Sequence, residues 1–152
     1  MMFRILFIIT LVFNFSVFGD TLFPNPNIKP YNVVEIQLNA LMKNDTPFKD
    51  AGIEQTWEFA HPQNRQYTGP LSNFKLMMKA GNYSLMLEHS NHKIIVVSED
   101  DNIANYFVEL VDKLDNKFGF TWTVSKVLAE GKYKNCWMTT AVSRPMPLAK
   151  ST

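Results

Sequence analysis

The chain has 152 residues, with 15 basic and 14 acidic side chains, 46% hydrophobic residues and 13% aromatic. That length and balance fit one domain large enough to bury a core. They exclude a disordered chain, which has lower apolar content and higher net charge. One cysteine excludes a disulfide scaffold, and a net charge of +1 argues against a nucleic-acid binder.

Residues 1–19 read as a signal peptide. Arg4 is the basic start, and Ile5 to Phe13 is the apolar run. A stable membrane span needs about 20 apolar residues, and this stretch is broken by Thr10, Asn14 and Ser16. Val17 and Gly19 are the small residues at three and one positions before Asp20, so cleavage is expected after Gly19. An uncleaved anchor is the alternative. Cleavage removes Arg4 and no acid, leaving 14 basic and 14 acidic residues and a neutral chain. The expected location is the periplasm or extracellular space, or the secretory lumen of a eukaryote, with no stable membrane span after cleavage. In such an oxidising compartment the unpaired Cys136 is expected to be buried as a small hydrophobe.

Residues 20–29 form a Pro/Asn-rich leader, expected to be extended and mobile. Asn32 and Glu35 have the spacing of a capping box. Val34, Leu38, Leu41 and Met42 then share one helical face, and Lys43 and Asn44 close this first helix. A second helix is predicted from Asp50 to Ala60 on the stripe Ile53, Trp57 and Ala60. His61 to Thr68 reads as a polar turn, with His61 at a helix end because the residue before proline leaves the helical region. Gly69-Pro70 opens a third helix, whose buried face is Leu71, Phe74 and Met78 and whose stop is Gly81.

The period then changes from 3.6 to 2. Strands are predicted at Lys93–Ser98, Ile103–Lys113, Phe118–Ser125 and Cys136–Ser143, with a slip in the pattern near Lys126. Short polar turns between consecutive strands imply an antiparallel meander. The expected fold class is α+β: three N-terminal helices packed on a curved antiparallel sheet of about four strands, in one domain over residues 30–143. Residues 144–152, with two prolines, read as a polar tail.

The stretch from Trp57 to Phe74, containing Asn64-Arg65 and Thr68-Gly69-Pro70-Leu71, resembles the domain-of-unknown-function family 4864. The likeness continues through Tyr83, Leu85-Met86-Leu87 and His89, and resumes at Cys136-Trp137-Met138-Thr139, covering about residues 31 to 143. Thr140 stands where an acid is expected in that family. The resemblance implies the nuclear-transport-factor-2-like superfamily, with its cystatin-like fold: a cone of curved sheet around a long helix, open at one mouth. That superfamily holds isomerases, dehydratases and members without chemistry, so fold does not give function.

An isomerase-like site needs a carboxylate or histidine base in an apolar cone facing a donor. Asp45, Asp50, Glu99, Asp100, Asp101, Asp115 and Glu130 fall at turns or surface positions, and Glu109 and Asp112 on opposite faces of a strand. Glu58, Glu88 and His89 remain as catalytic candidates, with Tyr67 or Tyr83 as donor. His89 and His92 are expected as a surface loop pair, since no third ligand at zinc spacing accompanies them. No metal and no cofactor is expected. Asn64 and Arg65 could clamp an anion, or could tie down their loop. Asn64, Arg65, Tyr67, Tyr83, His89, Trp122, Trp137 and Met138 are the candidate binding residues. The sequons Asn44-Asp-Thr46 and Asn82-Tyr-Ser84 are N-glycosylation acceptors in a eukaryotic setting.

The functional expectation is an exported, non-catalytic domain that binds a small apolar or amphipathic ligand or a protein partner. The alternatives are an isomerase or dehydratase using a carboxylate or His base, and a homodimer built on an open apolar sheet face.

Overall fold

The computed structural model describes residues 19–149. The expected signal peptide, Gly19 apart, lies outside the described residues. The chain is α+β, with helices preceding a curved, unclosed antiparallel sheet.

Helix α1 spans Pro30–Met42 and starts with proline in its first turn, where no N–H is needed. Val33, Val34, Gln37, Leu38 and Leu41 form its buried stripe. Asn32 lies inside the helix rather than at its cap, and its amide reaches the Glu35 carboxylate. Helix α2, Ala51–Glu58, packs closely on α1. A Cβ at Gly52 would lie 2.2 Å from the Ala40 carbonyl oxygen, so the approach requires glycine. Asn44 joins the two helices: its side-chain oxygen accepts from Ile53 N–H at 3.0 Å and its carbonyl from Gly52 N–H at 2.8 Å. This asparagine is buried, which removes it as a glycan acceptor, whereas Asn82 is exposed.

The predicted polar turn after α2 is instead a short helix, α3, Pro62–Thr68. It buries no side chain, so it has no apolar stripe for periodicity to detect. His61 is its N-cap, accepting the Gln63 N–H on Nδ1 at 3.1 Å. Gly69, at φ +74°, ends it. Helix α4, Leu71–Lys79, buries Phe74 and Met78 and runs into a 3-10 turn at Gly81–Met86. The described residues therefore hold four α-helices where three were predicted.

Strands β1 (Asn91–Glu99), β2 (Ile103–Val111), β3 (Lys117–Lys126) and β4 (Trp137–Val142) pair in sequence order. Register shifts fall at Val96/Ser98 and Thr123/Val124, not at Lys126. The tail contributes strand β5, Met146–Pro147, which pairs with Phe118 and Gly119 on β3.

One face of the sheet meets the helices. Ala104, Tyr106, Val108 and Leu110 of β2 and Phe120, Trp122 and Val124 of β3 share the main core with Val33, Leu38, Leu41, Ile53, Phe59 and Phe74. The other face carries Lys93, Asn105, Glu109, Thr121 and Thr123, interleaved with Ile95, Ile103 and Phe107. Phe107 crosses it over Gly119, where a Cβ would lie 2.4 Å from the ring. A smaller cluster of Val127, Cys136 and Met138 is buried beneath the loop that precedes β4. Cys136 is free and buried, and burial pushes its thiol pKa up.

The leader is tied down rather than loose. Leu22 N–H donates to Gln55 Oε1 at 2.7 Å, and Gln55 Nε2 returns a bond to the Leu22 carbonyl at 2.8 Å. No helix among the described residues is long and apolar enough to cross a membrane.

Candidate functional site

A cavity of about 100 Å³ lies between the helices and the sheet. Leu41, Phe74, Met77, Met78, Met86 and Val142 form its apolar wall; Gln37, Thr56, Asn64 and Thr139 form its polar end, with Trp122 between. The volume falls between the space one water needs and the ~150 Å³ of a dry cavity that binds benzene. It suits a molecule of a few heavy atoms, or the tip of a longer one.

The polar end is a closed network. Gln37 Oε1 accepts from Thr139 Oγ1 at 2.6 Å and from Trp122 Nε1 at 3.2 Å. Trp122 Nε1 also reaches Thr139 Oγ1 at 3.1 Å. Gln37 Nε2 donates to the Thr56 carbonyl at 3.0 Å, which uses one of its two hydrogens. The segment between α2 and α3 closes the far edge of β4: Thr139 N–H donates to the Phe59 carbonyl, and His61 N–H to the Thr139 carbonyl, both at 2.8 Å. Asn64 adds a longer bond to the same Thr139 carbonyl at 3.4 Å. Tyr83 Oη donates to the Val142 carbonyl at 3.0 Å and seals the rim.

Of the predicted binding residues, Asn64, Tyr83 and Trp122 line this cavity. Tyr67 points into solvent and is 90% exposed. Trp137 packs at the core margin under the Lys126 ammonium, and Met138 belongs to the smaller cluster. Arg65 is occupied elsewhere. Its Nε donates to the Ala60 carbonyl at 3.0 Å, and its Nη2 to the Trp57 and Glu58 carbonyls at 2.9 and 3.1 Å. The guanidinium thus covers the end of α2, where carbonyls lack helical partners, and stacks between Trp57 and Tyr133. An anion clamp is not available from it in this arrangement.

The catalytic candidates do not converge. Glu58 ends α2, and exposed Glu88 accepts the Asp45 N–H at 3.2 Å. Neither lines the cavity, nor does His89. Among the described residues, no carboxylate, histidine, lysine or arginine lines the cavity. The chain matches no protein-family model, no curated protein and no solved structure.

The histidine pair is not the surface feature expected. His89 is 2% exposed, with Nδ1 2.7 Å from the Met86 carbonyl and Nε2 2.8 Å from His92 Nδ1. The carbonyl can only accept, so His89 carries its proton on Nδ1 and accepts from His92. Burial lowers the His89 pKa to about 4, and burial also lowers that of His92. No group of three metal-ligating side chains occurs among the described residues.

Asp50, expected at a turn or surface position, is buried, and Asp112, just after β2, is buried on the face opposite exposed Glu109. The Lys79 ammonium, 2.6 Å away, holds Asp50 below the usual carboxylate range. Asp112 accepts the Leu114 and Asn116 N–H groups and shapes the β2–β3 turn. Gln37, Thr56 and Thr139 were not singled out as site residues by sequence reasoning. A signal for Gln37 existed: it is the one polar side chain on the buried stripe of α1.

Proposed function

We propose that this chain is an exported domain of the nuclear-transport-factor-2-like, cystatin-like type, related to the domain-of-unknown-function family 4864. Its cavity holds a small neutral, apolar or amphipathic molecule and performs no catalysis. The observation that carries this reading is the chemistry of the wall: apolar and methionine-rich, with a polar end of amides and hydroxyls and, among the described residues, no carboxylate, histidine, lysine or arginine. Burying a charge there would lack a partner, so a neutral ligand is favoured. Methionines adapt to ligand shape. The second Gln37 N–H is a donor suited to a carbonyl or hydroxyl oxygen. Helices followed by a curved open sheet are compatible with the family reading, and the sequence of residues 1–19 supports export. The isomerase or dehydratase alternative draws no support, because Glu58, Glu88 and His89 lie away from the cavity.

The Trp122 indole N–H resonance is a direct reporter. Titrating four- to six-carbon alcohols, aldehydes and ketones should shift it saturably, while the matching carboxylates and ammonium ions should not. Filling the space with Met77→Phe should remove the response. No shift with any neutral probe at millimolar concentration would end the proposal.

A further inference from the structure

The cavity meets solvent where its lining residues are only half-buried: Asn64 and Thr68 of α3, Met77 of α4, Tyr83 and Val142. Most of this rim is fixed. Met77 lies on the helix that buries Phe74 and Met78, Val142 ends β4, and the Tyr83 hydroxyl is bonded to the Val142 carbonyl. Helix α3 is different. It supplies two residues of the rim yet buries no side chain. Moving it pulls no apolar group out of the core, and segments with few buried contacts open at low cost.

One side chain holds α3 down. Asn64 reaches outward only through its 3.4 Å bond to the Thr139 carbonyl, which already accepts the His61 N–H at 2.8 Å. Thr68 Oγ1 bonds within the helix, to the Asn64 carbonyl. Arg65 does the rest, with three bonds of 2.9, 3.0 and 3.1 Å to carbonyls at the end of α2 and a stack between Trp57 and Tyr133. The two ends of α3 are suited to turning. Gly69 stands at φ +74° and ψ −166°, a conformation open essentially to glycine alone. His61, extended before Pro62, follows directly on the segment that β4 holds. Hinges are commonly such element-terminal positions.

We propose that α3 is a lid over the cavity mouth, hinged at His61 and Gly69 and latched onto α2 by Arg65. Opening admits the ligand, and closing sets the Asn64 amide over the polar end. The role of the lid rests on the reading of the cavity as a ligand site, whereas its motion is tested without ligand.

The Trp122 indole N–H is bonded to Gln37 and Thr139 inside the cavity, so it exchanges with solvent only when water enters. Hydrogen exchange of the full chain, followed by NMR, should show this N–H and the Arg65 and Gly69 amides exchanging together. They should run at least about tenfold faster than amides at the centre of β2 and β3, at a rate that urea hardly changes. Val108→Ala weakens the core away from the cavity lining. It should speed the sheet amides and leave the indole and α3 rates unchanged. Arg65→Gln should speed the indole and α3 together, by about tenfold. An indole that exchanges at the sheet rate, or that speeds up in Val108→Ala, would overturn the lid, because only global unfolding then uncovers the cavity. So would α3 amides that exchange fast while the indole stays slow, or an indole rate indifferent to Arg65→Gln. If Arg65→Gln does not fold, the wild-type and Val108→Ala rates decide. Failure of any neutral probe to bind would end the ligand reading and leave these rates as they are.

Discussion

The Gln37–Trp122–Thr139 network and the His89–His92 pair are both directly hydrogen-bonded and both attached to the cavity, the first wholly buried and the second with His92 half-buried. They differ in what a proton can do to them. The first holds an amide, an indole and a hydroxyl, none of which titrates between pH 4 and 8. The second holds two imidazoles with one proton between them. Its partner carbonyl is that of Met86, whose side chain lines the cavity, and the adjacent Glu88 N–H donates to the carbonyl of Leu41, another wall residue. One end of the cavity is therefore fixed by groups indifferent to pH, and the opposite wall by groups that respond to it.

The largest way to break this contrast is Gln37→Ala. It leaves the Trp122 N–H and the Thr139 hydroxyl without their shared acceptor and enlarges the cavity. A loss of about 4 kcal/mol in urea unfolding is expected, of equal size at pH 5 and pH 8.

Acid should act on the other cluster, and on buried His61, whose pKa burial also lowers. His89 binds a proton less readily folded than unfolded, so the unfolded chain takes up more protons as pH falls. Stability is then complete above the unfolded value of 6.5 and declines on acidification toward the folded value of about 4. Over that window the His89 contribution amounts to ~3 kcal/mol, with His92 acting in the same direction. Urea midpoints measured from pH 7 to pH 4 should follow this slope, and His89→Gln should flatten it. An unchanged slope in that variant would move the effect to other groups.

The smallest expected change sharpens the comparison from the first side. Thr139→Val keeps the shape and deletes the hydroxyl, leaving Gln37 Oε1 with the indole alone. About 1.5 kcal/mol should be lost, again without pH dependence, and the Trp122 N–H resonance should move.

Periodicity made the sheet legible. Each predicted strand matches an observed one to within two residues at either end, because alternating burial on β2 and β3 leaves a strong period of two. Helix α1 was legible for the same reason at period 3.6. Helix α3 was not, because it is held by the His61 cap and by Arg65 rather than by a buried face. The site was legible only in part. Trp122, Tyr83 and Asn64 stood out as residue types, whereas Thr139 gains its role from a partner 102 positions away. His89 was misplaced to the surface because nothing local reveals that Met86 and His92 enclose it. The family resemblance gave Arg65 prominence without disclosing that its work is to finish α2.

The bond between Gln37 and Thr139 also sets an order of events for the nascent chain. The cavity draws its wall from helix α1 and from strand β4, so nothing resembling it exists until β4 has left the ribosome. Pairing across so long a loop is entropically late and slow. Until then Gln37 sits on an apolar stripe with no partner and Trp122 has no covered indole. A C-terminal truncation before β4 should therefore yield a fragment that keeps its helices but presents this stripe to chaperones, with no capacity to hold a ligand.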